Sequence, residues 1–254
     1  ILNAKIEAQP FDLYVNPTGS DTNSGLSAAE PLKTISYALS KVIPDEDTLR
    51  TIHLADGLYS KLSTAEKFPL NLRSNLHIRG ESRDGTILDG DSLTMVLYGN
   101  ELTNNYTVSD LTLQRGYGNE SDGAGNLLLM YTYDGNFENL LIQKGSNYFK
   151  SALNTGGSTE IFFTGTEICY NKRGYKAIAA GSGNNPMVSP ATDTVTFINC
   201  KIHHNERGYD LQTGPGGAIY LGSSLLSHDA FIARIINCEI VENTEINPLG
   251  FMGA

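Results

Sequence analysis

Two hexapeptides, Phe197-Ile-Asn199-Cys-Lys-Ile202 and Ile235-Ile-Asn237-Cys-Glu-Ile240, share one pattern that decides the fold of this chain. The first residue of the pattern is apolar, the third is Asn, Asp or Gly, the fourth is small or apolar, and the sixth is aliphatic. The second and fifth positions accept any residue. Residues 108–113, 137–142 and 163–168 fit the same template without gaps. A template that recurs along one chain is typical of repeat proteins.

The repeats differ in length. Their final aliphatic residues stand at positions 113, 142, 168, 202 and 240, so the period ranges from 26 to 38 residues. A coil of nearly fixed size that carries loop insertions at its corners explains such variation. Earlier copies are expected at residues 52–54 and 76–78.

The apolar residues inside each copy alternate, as in Leu111 and Leu113, which predicts strands. Turn residues such as Gly116 and Gly145 follow, and then a second apolar run begins, for example at residues 176–180. Strand, turn, strand and loop in tandem predict an all-β fold, a right-handed single-stranded parallel β-helix. A β-sandwich also has short strands, but its strands would not recur with one template.

The N-terminal part predicts a cap for this solenoid. Residues 11–15 alternate as a strand, a polar loop follows, and residues 34–42 place Ile35, Ala38 and Leu39 at helical spacing. A short amphipathic helix is a common cover for an open sheet edge. We therefore predict one domain over 1–254, with strand, loop and capping helix at about 11–45 and coils at about 50–254. Because no C-terminal cap is visible, we expect the coils to continue past 254.

Charge and composition exclude several classes of function. The chain has 28 Asp and Glu against 18 Lys and Arg, a net charge of −10, which argues against nucleic acid as a partner. No segment approaches the ~20 apolar residues of a membrane span. The three cysteines, 169, 200 and 238, match neither a disulfide framework nor a metal-ligand spacing. We therefore expect no essential transition metal.

The repeat alignment also makes a prediction about the core. It places Leu140, Thr166, Cys200 and Cys238 at equivalent positions of successive coils, so we expect an inward or semi-buried stack with reduced thiols. Neighbouring coils stand ~4.8 Å apart, a distance that does not exclude a disulfide. Parallel side-chain vectors make its geometry poor.

The opening of the chain resembles a known family. The stretch Phe11-Asp-Leu-Tyr-Val-Asn-Pro-Thr-Gly-Ser-Asp-Thr-Asn-Ser-Gly25, followed by Pro31-Leu-Lys-Thr-Ile-Ser-Tyr-Ala38, is similar to the start of secreted right-handed parallel β-helix proteins of the pectate-lyase-like superfamily. The resemblance implies a secreted or cell-surface protein. That superfamily includes polysaccharide lyases, glycoside hydrolases, epimerases and surface proteins, so the resemblance leaves the activity open.

Turn side chains form the first candidate site. From Ile142, Ile168 and Ile202 onward, an ungapped alignment sets Asn171 opposite Asn205 and, further along, Lys176 opposite Asp210 and Lys150. Elimination from a uronic acid needs a base and a cation at the carboxylate, which residues of these types supply. Alternatively, such ladders only hold the turns of the solenoid. In a solenoid the aligned turn residues are expected to line a groove on one edge. His203 and His204 are adjacent in a strand and are expected on opposite faces, so at most one of them lines this groove. The candidate substrate-binding residues are Lys172, Arg173, Tyr175 and His204, and the catalytic candidates are Arg207, Tyr209, Asp210 and Lys176.

Three carboxylates offer a second constellation. Asp84, Asp89 and Asp91 lie close together in sequence, and calcium prefers several oxygen ligands from a flexible loop. Asp-Gly is also the ordinary signature of a turn, so the same residues fit a purely structural role. Apart from this calcium candidate, we expect no cofactor.

Two functions follow from these observations. The first is an extracellular or cell-surface β-helix module of a larger secreted protein that binds a polysaccharide or other surface glycan. The second is a polysaccharide lyase or glycoside hydrolase that acts on an acidic or plant or algal polysaccharide. No complete lyase or hydrolase motif is present. The sequence therefore favours the binding module.

Overall fold

The computed structural model describes residues 12–42, 48–100, 103–118, 124–130, 132–147, 151–156, 158–172, 176–181, 193–207, 219–221 and 231–245. Within them, parallel strands wind through three sheets, and one helix lies near the N-terminus. The prediction of an all-β parallel β-helix with an N-terminal capping helix is confirmed. No helix in the described part of the chain has the length and apolar character needed to cross a bilayer.

The strands, numbered in chain order, belong to three long sheets and two short ladders. Sheet 1 contains β1 (Leu13–Val15), β2 (Arg50–Leu54), β5 (Leu76–Gly80), β8 (Tyr106–Ser109), β12 (Tyr133–Glu138), β16 (Thr159–Thr164), β19 (Asp193–Ile198) and β23 (Phe231–Ile236). Sheet 2 contains β3 (Gly57–Ser60), β6 (Thr86–Asp89), β9 (Thr112–Gln114), β13 (Leu141–Gln143), β17 (Glu167–Cys169), β20 (Lys201–His203) and β24 (Glu239–Val241). Sheet 3 contains β4 (Leu70–Asn71), β7 (Leu97–Gly99), β11 (Ala124–Met130), β15 (Ser151–Gly156), β18 (Lys176–Gly181) and β22 (Ile219–Leu221). The short ladders pair β10 (Tyr117–Gly118) with β14 (Ser146–Asn147) and β21 (Glu206–Arg207) with β25 (Thr244–Glu245).

Each coil passes from sheet 1 to sheet 2 at a first corner and from sheet 2 to sheet 3 at a second corner. The repeated hexapeptide spans the first corner, so the prediction that each copy is one strand is wrong. In one copy Phe197 and Ile198 end β19, Asn199 turns the chain with φ +53°, and Lys201 begins β20. Asn, Asp and Gly occupy this position because they tolerate the left-handed conformation.

The interior is built from rows of equivalent residues. Phe137, Phe163 and Phe197 are buried in register, and their rings stack at centroid separations of 5.0 and 5.1 Å. Such stacked pairs add ~0.5–1.5 kcal/mol each beyond simple burial. The stacked rings therefore stabilise the parallel register, because a slip of one residue would point them outward.

The predicted stack behind the first corner is confirmed. Leu140, Thr166 and Cys200 are buried, and Cys238 is partly buried beside them. The Cys200 Sγ–H donates to the carbonyl of Phe163 at 3.2 Å, so the thiol is tied to the coil below. Both cysteines are free thiols.

Helix α1 (Ile35–Lys41) lies where the spacing of apolar residues predicts it. Thr34 is its N-cap, and the Thr34 hydroxyl oxygen accepts a hydrogen bond from the amide of Tyr37 at 3.2 Å. The buried carboxylate of Glu66 accepts the amides of Ile35 and Ser36 at 2.9 and 2.7 Å, which satisfies two further amides of the first turn. The helix packs against β1, β2 and β4 and covers the N-terminal end of the solenoid.

Candidate functional site

The second corner presents a row of side chains, one from each of five successive coils. At this corner a non-glycine residue adopts a left-handed conformation with φ between +48° and +54°. This conformation costs about 1–2 kcal/mol per residue, so the surrounding corner must hold it in place. Because the coils are parallel and ~4.8 Å apart, the row follows the axis of the solenoid. We call it the corner row, and its members are Arg115, Lys144, Tyr170, His204 and Glu242.

A buried asparagine ladder holds the corner beneath this row. Asn171 Nδ2 donates to Asn205 Oδ1 at 3.0 Å, and Asn205 Nδ2 donates to Asn243 Oδ1 at 3.0 Å. The predicted alignment of Asn171 with Asn205 is confirmed. Sequence reasoning missed Asn126, which reaches in from β11 and donates to Asn171 Oδ1 at 3.2 Å. It uses space left by Gly145, where a Cβ would lie 2.4 Å from Asn126 Nδ2.

A polar row runs along the outer face of sheet 2 beside the corner. Gln143 Nε2 donates to Gln114 Oε1 at 3.1 Å, and Gln114 Nε2 donates to Asp89 Oδ2 at 2.6 Å. The Arg115 Nε–H donates to Asp89 at 2.7 Å, and its Nη2 lies 3.3 Å from Asp91. The Gln114 amide and the Arg115 guanidinium satisfy the buried carboxylate of Asp89.

The calcium candidates are divided between two arginines. Asp89 and Asp91 share Arg115, whereas the exposed Asp84 pairs with Arg83 at 3.0 Å. A calcium ion at Asp89 and Asp91 would have to compete with the Arg115 guanidinium for the same oxygens. The calcium site therefore stays a prediction. The alternative structural role of these carboxylates agrees with their ion pairs to Arg83 and Arg115.

The two neighbouring histidines lie on the same side of the corner. Their Nδ1 atoms are 2.7 Å apart, His203 Nε2 lies 2.9 Å from Glu167 Oε1, and His204 Nε2 lies 3.0 Å from Glu242 Oε2. The expectation that the rings point to opposite faces is wrong. His204 has φ +51°, and this left-handed residue ends the alternation of the strand.

Cys169 lies in the same cluster, next to the exposed ring of Tyr170. Its sulfur and the donor atoms of Glu167 and His203 all lie within 4.8 Å of one another. Burial, followed by the nearby carboxylate of Glu167, raises the pKa of the Cys169 thiol to about 12. The Tyr170 ring lies 5.0 Å from the His204 ring and is 43% exposed.

Sequence spacing did not reveal this cluster, because its members come from two coils. The repeat alignment held the signal, since Ile168 and Ile202 are equivalent and the next residues, Cys169 and His203, must then face each other. Side-chain types at equivalent positions of successive coils, rather than local motifs, therefore indicate this cluster.

The other candidate residues are only partly placed. Lys172 lies opposite Glu206 in the parallel pairing, and its Nζ is 3.8 Å from the Glu206 carboxylate. Arg207 belongs to β21, whose backbone pairs with Glu245. Four candidates lie outside the described residues: Arg173, Tyr175, Tyr209 and Asp210.

The predicted register of Lys176 is wrong. Lys176 pairs with Ser151 and not with Lys150, and further along the strand Ile178 pairs with Ile219, which belongs to β22. The sequence separation between paired residues is 26 for Ser146 and Lys172 but 25 for Ser151 and Lys176. The ungapped alignment fails because loops of unequal length follow the second corner.

A separate cleft of about 310 Å³ lies on the outer face of sheet 1 near the N-terminus. The Tyr14 ring stacks on the His53 ring at 4.8 Å, and His53 Nε2 lies 3.1 Å from Asp12 Oδ2. The exposed Arg79, which also lines the cleft, lies 3.4 Å from Asp110. This cleft involves only the first coils and none of the candidate residues of the second corner.

The comparisons with known proteins bear on the fold alone. A family described as "Protein of unknown function (DUF1565)" matches residues 17–126. No curated protein matches the sequence. A solved structure titled "Rhamnogalacturonan lyase" is similar with a TM-score of 0.51 and 15% identity, over 92% of this chain and 69% of the other. Pectin methylesterase PemA from Erwinia chrysanthemi gives a TM-score of 0.43 and 15% identity, over 84% and 70% of the two chains. The likeness to the rhamnogalacturonan lyase structure confirms the predicted resemblance as one of fold.

Proposed function

We propose that this chain is a carbohydrate-binding parallel β-helix module and that the corner row forms its binding surface. The observation that carries the proposal is the regular line of exposed side chains, among them Lys144, Tyr170 and His204, one from each of five successive coils. A polysaccharide is itself a linear repeat, so a solenoid edge offers it equivalent contacts at regular intervals.

The chemistry of the row suits an acidic glycan. The exposed Tyr170 ring offers a flat apolar face with a polar tip, which suits contact with a sugar ring. Lys144 is exposed and makes none of the ion pairs found among the described residues, so its ammonium group is available for a carboxylate. Lys172 is also largely exposed, although it lies near Glu206.

The net charge of −10 is compatible with binding of an acidic glycan. At physiological ionic strength, salt screens the interaction between exposed charges that are more than ~8 Å apart, so the charges next to the corner row matter most. The amide groups of Gln114 and Gln143 next to the row add donors and acceptors for sugar hydroxyls. A secreted or cell-surface location is part of the proposal, and the sequence resemblance of residues 11–38 to secreted β-helix proteins supports it.

The test is a binding screen of the wild-type chain against pectin, alginate and glycosaminoglycans, by affinity electrophoresis and calorimetry. Tyr170→Ala and Lys144→Ala should each weaken binding to an acidic polysaccharide about tenfold, equivalent to ~1.4 kcal/mol. Arg207→Ala tests the role predicted from the sequence for this residue of β21.

Tyr37→Ala is the matched control for the aromatic substitution. Tyr37 is exposed to a similar extent, 38% against 43%, but lies on helix α1 away from the corner row. Unchanged binding in Tyr170→Ala, or an equal loss in Tyr37→Ala, would contradict the proposed surface. Release of unsaturated ends that absorb in the ultraviolet would instead show a lyase, and new reducing ends without that absorption would show a hydrolase.

A further inference from the structure

We propose that Glu167, Cys169 and His203 form a zinc-binding site on the outer face of sheet 2. A carboxylate, a thiol and an imidazole converge here, and their donor atoms all lie within 4.8 Å of one another. It is the one such group of three His, Cys, Asp or Glu side chains found among the described residues. The proposal does not depend on carbohydrate binding. It departs from the sequence-based expectation of no essential transition metal, because the three ligands come from two different coils.

The register of the solenoid produces this convergence. Cys169 in β17 is paired with His203 in β20, and Glu167 lies two residues before Cys169 on the same face of the strand. In a tetrahedral zinc site with bonds of 2.0–2.3 Å, neighbouring ligand atoms stand about 3.3–3.8 Å apart. Small rotations of the three side chains therefore suffice to close the site.

The surrounding contacts orient the three ligands. His203 Nδ1 contacts His204 Nδ1 at 2.7 Å, and His204 Nε2 contacts Glu242 at 3.0 Å, so a carboxylate and a second imidazole direct the other nitrogen of His203 toward Glu167. Arg83 Nη1 lies 3.4 Å from Glu167 Oε2 and leaves Oε1 for the site. Outer partners of this kind are typical of metal-binding histidines.

The hydrogen-bond chain from Glu167 through His203 and His204 to Glu242 needs one more proton or cation than two neutral imidazoles supply. When His203 donates its Nδ1 proton to His204, and His204 donates its Nε2 proton to Glu242, His203 Nε2 carries a lone pair. That lone pair faces a carboxylate oxygen at 2.9 Å, and two acceptors repel each other unless a proton or a metal ion lies between them. The adjacent sulfur of Cys169 favours the metal, because it supplies a third ligand.

The ligand set favours zinc over calcium and magnesium. Calcium and magnesium prefer oxygen ligands alone, whereas zinc accepts cysteine sulfur, histidine nitrogen and carboxylate oxygen in one site. Three protein ligands leave one position of a tetrahedron for water or another small ligand. Cys169 and His203 are 2% and 7% exposed, so these two ligands are shielded from bulk solvent.

The experiment titrates the metal-free wild-type chain with Zn²⁺ alone by calorimetry and then with Co²⁺, whose thiolate complexes absorb in the near ultraviolet. We expect one equivalent of Zn²⁺, a cobalt–thiolate absorption band, and a higher melting temperature with zinc than with chelator. Cys169→Ser and His203→Gln should abolish the cobalt–thiolate band and lower zinc affinity at least tenfold. His204→Ala should lower zinc affinity about 10–100-fold by releasing the outer contact of His203.

Cys238→Ser is the matched control, because this free thiol lies behind the first corner. It should keep the cobalt–thiolate band and the zinc affinity of the wild type. Absence of stoichiometric Zn²⁺ binding in the wild type would overturn the proposal, and so would a cobalt–thiolate band that survives Cys169→Ser. The wild-type measurements decide even where a variant fails to fold, and polysaccharide binding by Tyr170→Ala is read out separately.

Discussion

Replacing Asn205 with Ala removes a fully buried side chain that makes four hydrogen bonds inside the second corner. Asn205 Nδ2 donates to the carbonyl of Ile168 at 2.8 Å and to Asn243 Oδ1 at 3.0 Å. Asn205 Oδ1 accepts from the amide and from Nδ2 of Asn171, at 3.2 and 3.0 Å. The variant leaves these partners unpaired in the interior.

The expected loss of stability follows from that count. Each hydrogen bond contributes ~0.5–1.5 kcal/mol net, which gives ~2–6 kcal/mol for four. Loss of the Asn205 side chain also removes the burial cost of its own polar atoms, so we expect a loss of ~3 kcal/mol in the free energy of unfolding. The measurement is urea unfolding followed by far-ultraviolet circular dichroism and by tyrosine fluorescence, since the chain has 13 Tyr and no Trp.

Asn243→Ala is the matched control. Asn243 also makes four hydrogen bonds through its side chain, two as donor and two as acceptor, but it is partly exposed. Water can replace its bonds, so we expect a loss of only ~1 kcal/mol. The reasoning would be refuted by a loss below ~1 kcal/mol in Asn205→Ala, or by a loss in Asn243→Ala that is just as large.

Three further predictions concern other parts of the solenoid. Burial lowers the pKa of His77, so the unfolded chain binds this proton more readily and stability falls as the pH drops below ~6.5; His77→Gln should reduce the decrease in melting temperature between pH 7.5 and 5. Burial raises the pKa of Cys200 to about 11, so iodoacetamide at pH 8 should modify the more exposed Cys238 first, as peptide mass analysis would show. Gly145→Ala should cost ~1–3 kcal/mol in urea unfolding, because its Cβ would lie 2.4 Å from Asn126 Nδ2.

Each of these predictions has a contradicting result. An unchanged slope of melting temperature against pH in His77→Gln would show that this group does not cause the acid sensitivity. Equal alkylation rates at the two thiols would contradict the burial of Cys200. Wild-type stability in Gly145→Ala would show that the Asn126 side chain does not need the space.

The repeat template predicted the coil architecture because its rule is local. An apolar residue must face the interior in every coil, and the residue at the first corner must tolerate a left-handed conformation, as Asn199 does. The capping helix was predictable for the same reason, since Ile35, Ala38 and Leu39 bury one face. Each requirement acts on residues that are close in sequence, so the amino-acid order displays it directly.

Loop lengths and cross-coil contacts were not predictable in this way. Lys176 missed its predicted partner because insertions after the second corner change the offset between coils without leaving a mark on the template. His203 and His204 share a side only because one of them takes a left-handed turn. Glu167 and Cys169 meet His203 across more than 30 residues of sequence. The sequence alone determined which residues face the interior, because local periodicity controls burial; the tertiary structure alone decided which outward side chains meet, because that depends on the register between coils.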